Sequence, residues 1–178
     1  MKKAFLRLSV MLLLFPLLAG CTGMNIQNYK ATTPELDLFA YFTGETTAWG
    51  IFQDRSGNVR RAFTVAIKGD VKDNTLTLVE DFQYSDGETE QRIWVITRHK
   101  EGHYTGVAKG VVGEAEGQVQ GNALNWKYDF DLQVGKKTYR VHFDDWMFLQ
   151  TGGVLINRAY VSKWGINVGE VTLFFQRP

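Results

Sequence analysis

The residue best placed for covalent chemistry is Cys21, which ends the run Leu18-Ala19-Gly20-Cys21. Small residues after an apolar run, closing on a cysteine, resemble the lipobox of bacterial lipoproteins. In such proteins the thiol is acylated and everything before it is removed. Lys2, Lys3 and Arg7 give a basic start, and Leu8 to Leu18 is apolar apart from Ser9 and is broken by Pro16. That is the length of a signal-peptide core and short of the roughly 20 apolar residues that span a bilayer. The expected division is residues 1–20 as signal peptide, 21–33 as a lipid-anchored tether and 34–178 as one domain. Thr22, rather than Asp, follows the cysteine, which in lipoproteins of this kind favours the outer membrane, with the domain facing the periplasm. The expected partner is thus a membrane, reached through acyl groups on Cys21. Cys21 is the only cysteine, so the domain forms no internal disulfide and offers no thiol ligand set.

Four charged residues share alternating rows with apolar ones. Glu80 falls with Leu76, Leu78 and Phe82; Arg92 with Trp94 and Ile96, although Ile93 and Val95 leave its facing open; Asp145 with Val141, Phe143 and Met147; Arg158 with Ile156 and Tyr160, although Leu155 and Val161 leave its facing open too. If those rows face a core, the charges must pair with each other or with a ligand, because an unpaired buried charge is very costly. Two carboxylates and two arginines would cancel in a closed network. Alternatively Arg158, with Arg92, offers a fork to the carboxylate of a fatty acid. Arg92, Asp145, Arg158, Tyr160 and Trp126 are the expected ligand-binding residues.

Other constellations are weaker. His99 and His103 flank a turn and could meet around a metal, but two ligands are little signal and solvated turn histidines explain them as well. Ser56, Ser85 and Ser162 lack the strained-turn context of a hydrolase nucleophile. Asp144 and Asp145 are adjacent, so a strand sends them to opposite faces. The glycines from Gly106 to Gly121 lack a following Lys-Ser or Lys-Thr and read as bent strands rather than a phosphate loop. No catalytic group, metal or cofactor is assigned, and a binding protein rather than an enzyme is expected. The formal charge is +1, and three of the basic residues leave with the leader. The remainder is no basic nucleic-acid binder.

The elements that must position these residues are strands. Period-two runs cover Thr46–Gln53, Val59–Lys68, Thr75–Tyr84, Glu88–Arg98, Tyr104–Lys109, Ala123–Leu132, Thr138–Leu149, Val154–Trp164 and Glu170–Gln176, with one or two short bent strands before Gly121. Turn residues such as Asp54-Arg55-Ser56-Gly57 separate them. Thr22 to Thr33 lacks apolar periodicity and reads as a tether, and Pro34 to Phe42 reads either as a short helix, capped by Thr33 and plugging a barrel end, or as an irregular lead-in. Sequential hairpins without long connections predict an all-β, antiparallel up-and-down barrel of 8–10 strands, since closure removes exposed edges. Inward side chains of such a barrel either fill it or leave room for one small ligand.

The runs Trp49-Gly50-Ile51-Phe52-Gln53-Asp54-Arg55-Ser56-Gly57, Gly121-Asn122-Ala123-Leu124-Asn125-Trp126, Asp144-Asp145-Trp146-Met147, Asn157-Arg158-Ala159 and Gly169-Glu170-Val171-Thr172-Leu173-Phe174-Phe175, with Gly87-Glu88 and Arg92-Ile93-Trp94, resemble a family of bacterial lipoproteins, domain of unknown function 3833. The likeness runs from Leu36 to Arg177. It implies a lipocalin-like barrel and, through an association with membrane fatty-acid modification, a lipid or fatty-acid ligand in envelope maintenance. It implies no catalytic residue or cofactor. A filled-barrel scaffold that contacts another envelope protein, and a lipid-modifying enzyme, are the alternatives.

Overall fold

The structure, a computed structural model, describes residues 23–178, so the lipobox and Cys21 lie outside the described residues. Ten antiparallel strands close into one barrel: β1 (Gly44–Asp54), β2 (Val59–Lys72), β3 (Thr75–Tyr84), β4 (Thr89–Arg98), β5 (His103–Ala108), β6 (Val111–Gln120), β7 (Ala123–Val134), β8 (Lys137–Leu149), β9 (Leu155–Lys163) and β10 (Ile166–Gln176). Each strand pairs with its sequence neighbours, and β1 pairs with β10 to complete the ring. The up-and-down barrel expected from the hairpin pattern is therefore present. No helix among the described residues is long and apolar enough to cross a membrane.

Alternation sets what faces in. On β7, Leu124, Trp126, Tyr128 and Phe130 are buried, while Lys127 and Asp129 are exposed. Two glycines make room for the largest of these side chains. Gly106 on β5 and Gly117 on β6 lie against the indole of Trp126, and a Cβ at either would overlap the ring. Part of the glycine-rich stretch is thus a seat for a core tryptophan, the close approach that a missing side chain permits. Beyond it, β6 shifts register against β7 between Val112 and Glu116, as a bent strand should.

One barrel end is stoppered by a short helix, α1 (Leu38–Phe42). The expected start at Thr33-Pro34 is corrected. Asp37 is the N-cap, its carboxylate accepting from the N–H groups of Phe39 at 2.9 Å and Ala40 at 3.0 Å. The preceding lead-in bends at Thr33-Pro34 and is tied to the barrel, Leu36 N–H donating to the Gly121 carbonyl at 2.8 Å. Asp caps a helix strongly, so it fixes the start more firmly than a proline four residues upstream of Leu38. The same carboxylate meets Arg98 of β4 at 2.7 Å, and the Arg98 guanidinium lies 4.2 Å from the Phe39 ring centre. Leu38, Phe39, Tyr41 and Phe42 are buried, each contributing about 1.5–3 kcal/mol by leaving water. Phe42 packs edge-on against Phe175 at 5.6 Å, and its carbonyl sits where a Cβ on Gly69 would be.

The segment before the helix is not the tether expected from its polarity. Ile26–Tyr29 forms a 3-10 turn on the outer wall. The Tyr29 ring covers Trp146 and Phe148, with centroids 5.9 and 5.3 Å away. Thr32 Oγ1 accepts from Asn122 N–H at 3.0 Å. Trp146 points outward from β8 yet is buried, and the burial of so large an outward ring is what holds the segment down.

Candidate functional site

The barrel encloses a cavity of about 600 Å³. That is within the roughly 300–1,000 Å³ of small-molecule sites. Eight strands leave an interior just wide enough for side chains to fill or for one small ligand; ten leave more. The floor is α1, through Leu38 and Phe42, with Leu124 and Phe175 beside it. At the opposite end the cavity reaches Leu132, Gln133, Val134 and Gly135 of the β7–β8 hairpin, and Arg61, Asp86 and Glu88 of the β2–β4 region. This end is the mouth. Its turns carry exposed apolar residues, Val59, Val134, Ile166 and Trp164, the last 89% exposed.

Between floor and mouth the wall is mostly apolar and aromatic. Tyr128 stacks on Phe143 with planes 2° apart and centroids at 5.0 Å, and Trp94 meets Trp126 and Tyr128 edge-on at 5.7 and 5.4 Å. A polar belt interrupts it. Glu80 of β3 and Arg92 of β4 are register partners and both point inward. Asp145 of β8 and Asn157 of β9, 8% and 1% exposed, also face the cavity. Three of the four charged residues expected to point inward therefore do so.

Arg158 does not, and the expectation is corrected. The register between β8 and β9 sets Phe143 against Val161, Asp145 against Ala159, Met147 against Asn157 and Leu149 against Leu155. Paired residues share a face, so β9 sends Leu155, Asn157, Ala159 and Val161 inward. Arg158 and Tyr160 lie on the outer wall, where the guanidinium donates to Glu170 Oε2 at 2.7 Å and sits 5.1 Å from the Tyr160 ring centre. Neither can touch a molecule in the cavity. Sequence pattern alone misjudged β9 because both of its rows mix apolar and polar residues. The same ambiguity hid Asn157, whose only signal is its place between Leu155 and Ala159. Trp126 is placed as expected, in the cavity wall.

Arg92 is the one guanidinium in the belt, and its contacts are largely taken. Nη2 pairs with Glu90 at 2.8 Å, and the head lies 5.1 Å from the Phe82 ring centre and 5.0 Å from that of Phe130. Glu90 also accepts from Tyr84 Oη at 2.9 Å. At the mouth Arg61 meets Asp86 at 2.8 Å and also Glu88. Glu80 and Asp145 are left without a cation of their own. Burial raises the Glu80 carboxyl to about 7, with Arg92 opposing and Glu90 assisting. Burial, with repulsion from Asp144 and Glu80, raises Asp145 to about 8 against the pull of Arg92. Asp145 Oδ1, Asn157 Nδ2 and Arg92 Nε are buried without a hydrogen-bond partner, which is rare enough in folded proteins to call for an explanation.

The remaining candidates lie elsewhere. His99 Nε2 is 3.0 Å from Thr105 Oγ1, and His142 pairs with Asp129 on the outer wall at 2.9 Å. Among the described residues no three His, Cys, Asp or Glu side chains converge as metal ligands would. Asp144 faces outward toward Lys127 at 3.4 Å, opposite in sense to Asp145. The Asp54-Arg55-Ser56-Gly57 tip is a self-bonded turn, Asp54 Oδ1 accepting from Ser56 N–H at 2.9 Å.

No curated protein matches the chain. The family profile described as a protein of unknown function, domain of unknown function 3833, matches residues 15–177, and with nearly the whole length covered the chain belongs to that family.

Proposed function

We propose that this protein binds a small amphipathic molecule, one with an acyl or alkyl chain, inside its barrel. The observation that carries the reading is the cavity itself: about 600 Å³, floored by α1, open at the far end, and apolar except for one polar belt. Such a wall offers a chain the hydrophobic gain of about 25 cal/mol per Å² of apolar surface removed from water. The belt gives the polar end of the ligand a fixed place. Binding without turnover fits this arrangement, and the anchor fits a role at the bacterial envelope: acylated at Cys21, the protein would stand on the outer membrane and face the periplasm. The filled scaffold is disfavoured because the inward side chains leave about 600 Å³ unfilled.

Native mass spectrometry of the chain from residue 22 onward is the direct test, with a co-purifying amphiphile as the expected result. Ala159→Phe, on the inner face of β9, should fill the cavity and abolish binding while circular dichroism remains that of the barrel. An Ala159→Phe protein that retains the ligand would refute an interior site. For the anchor, Cys21→Ser should leave soluble protein or uncleaved precursor, and wild-type retention in the outer membrane would overturn the lipoprotein reading.

A further inference from the structure

We propose, building on the ligand-binding reading above, that the head of the ligand is an ammonium group seated against Asp145 and Glu80. The barrel would then select single-chain cationic amphiphiles over fatty acids. Charge balance is the first ground. The groups lining the cavity are four carboxyls, Glu80, Asp86, Glu88 and Asp145, against two guanidiniums, Arg61 and Arg92. Arg61 is engaged at the mouth by Asp86 and Glu88, and Arg92 is engaged by Glu90. Once Glu80 and Asp145 ionise, the belt holds more carboxylate than cation, and a carboxylate head would add a further negative charge where little water screens the repulsion. An ammonium head supplies the missing cation.

The unpartnered atoms are the second ground. Asp145 Oδ1 is buried, faces the cavity and accepts no hydrogen bond. An ammonium brings three donors and no acceptor, which suits a carboxylate that lacks any donor. The free N–H groups of Arg92 Nε and Asn157 Nδ2 remain for a hydroxyl or water that accompanies the head. Arg158, the group that would have read a carboxylate, is outside the barrel.

Titration gives the reading a distinctive signature. The ionisable groups that bear on Asp145 are Glu80 from β3, Arg92 from β4, Tyr128 from β7 and its neighbour Asp144 on β8, while β9 presents only the neutral Asn157 and Ala159. With Asp145 and Glu80 raised to about 8 and about 7, both hold protons over part of the neutral range. A cationic head favours their ionised forms, so its binding expels protons. Affinity then rises as pH increases from 6 toward 8, by at most about tenfold per unit for each proton released.

The experiment uses isothermal calorimetry with dodecylamine, dodecanoic acid and dodecanol below their micelle concentrations, on the chain from residue 22 onward. The expected result is dodecylamine binding about tenfold or more tightly than the acid and the alcohol at pH 8. Proton release should appear as a dependence of its binding heat on buffer ionisation enthalpy. Asp145→Asn, nearly isosteric, should weaken the amine about tenfold and leave the alcohol unchanged. Acid or alcohol binding as tightly as the amine, or amine binding without proton release, overturns the proposal and leaves the cavity reading intact. Failure of all three compounds to bind overturns both. Two sources of the head are separated by lysophosphatidylethanolamine and lysophosphatidylglycerol. Preference for the former points to a phospholipid headgroup; indifference between them, with the amine still preferred, points to a free amine.

Discussion

The inner and outer faces of the barrel use the same residue types to opposite effect. Outside, Arg158 pairs with Glu170 and Arg140 with Asp131, at 2.7 and 2.9 Å. Water surrounds these pairs, and the Arg140 guanidinium holds Asp131 below the usual carboxylate range. Inside, Arg92 is near two acids that it cannot fully serve, and burial lifts Glu80 and Asp145 toward neutral pH. The contrast shows that a direct bond from an arginine lowers an exposed carboxyl, whereas burial without such a bond raises one. An exposed pair is worth about 0–1 kcal/mol; a buried acid without a partner is protonated rather than paired.

The largest test of that contrast is steric. Trp126 is 5% exposed and pressed between Gly106 and Gly117, so Trp126→Ala should cost about 3–5 kcal/mol in denaturant unfolding. Trp164→Ala, at the mouth, should change stability by less than about 0.5 kcal/mol, as surface substitutions do. Similar losses from the two would mean that the inner row of β7 is not the core.

A second test is electrostatic, and its sign follows from the raised carboxyls. In the folded protein Asp145 keeps its proton to about pH 8, whereas in the unfolded chain it loses it near the ordinary value of about 3.9. Across that interval the native state binds more protons, so stability falls as pH rises. Glu80 acts in the same sense up to about 7. The outer Asp54 and Asp131 are lowered instead, and their contribution is lost only as pH falls through their folded values, below the unfolded ones. Asp145→Asn should therefore stabilise the empty protein at pH 8. One pKa unit is about 1.4 kcal/mol, and half of the raised interval already amounts to roughly 3 kcal/mol. The variant should also flatten the decline in unfolding free energy between roughly pH 4 and 8. A wild-type protein whose stability is level over that range would show that Asp145 is ionised and paired.

The sequence was most legible where each strand had one clearly apolar row. On β7 the alternation of Leu124, Trp126, Tyr128 and Phe130 with charged residues fixes the facing without reference to any other strand. On β3 and β8 it placed Glu80 and Asp145 correctly as intruders in apolar rows. β9 could not be read alone, because its facing is decided by the register with β8, a long-range property that no local period carries. The docked turn at Ile26–Tyr29 was illegible for a related reason. Its polar residues suggest a tether, and the explanation lies more than a hundred residues away, in the outward ring of Trp146.

The smallest effect tests the corrected residue. Arg158→Met keeps the stem and removes the guanidinium. Were Arg158 buried in a closed network, orphaning its partner would cost about 3–5 kcal/mol. On the outer wall its side chain is 53% exposed, and Glu170 can recover water in its place, so the loss should stay below about 1 kcal/mol. That small loss should shrink further in high salt, because screening acts on exposed pairs and hardly on buried ones. Binding of any amphiphile should be unchanged, since Leu155, Asn157, Ala159 and Val161 form the inner row of this strand. A salt-independent loss of several kcal/mol, or a change in ligand affinity, would mean that β9 is turned by one residue and that Arg158, not Asn157, faces the cavity.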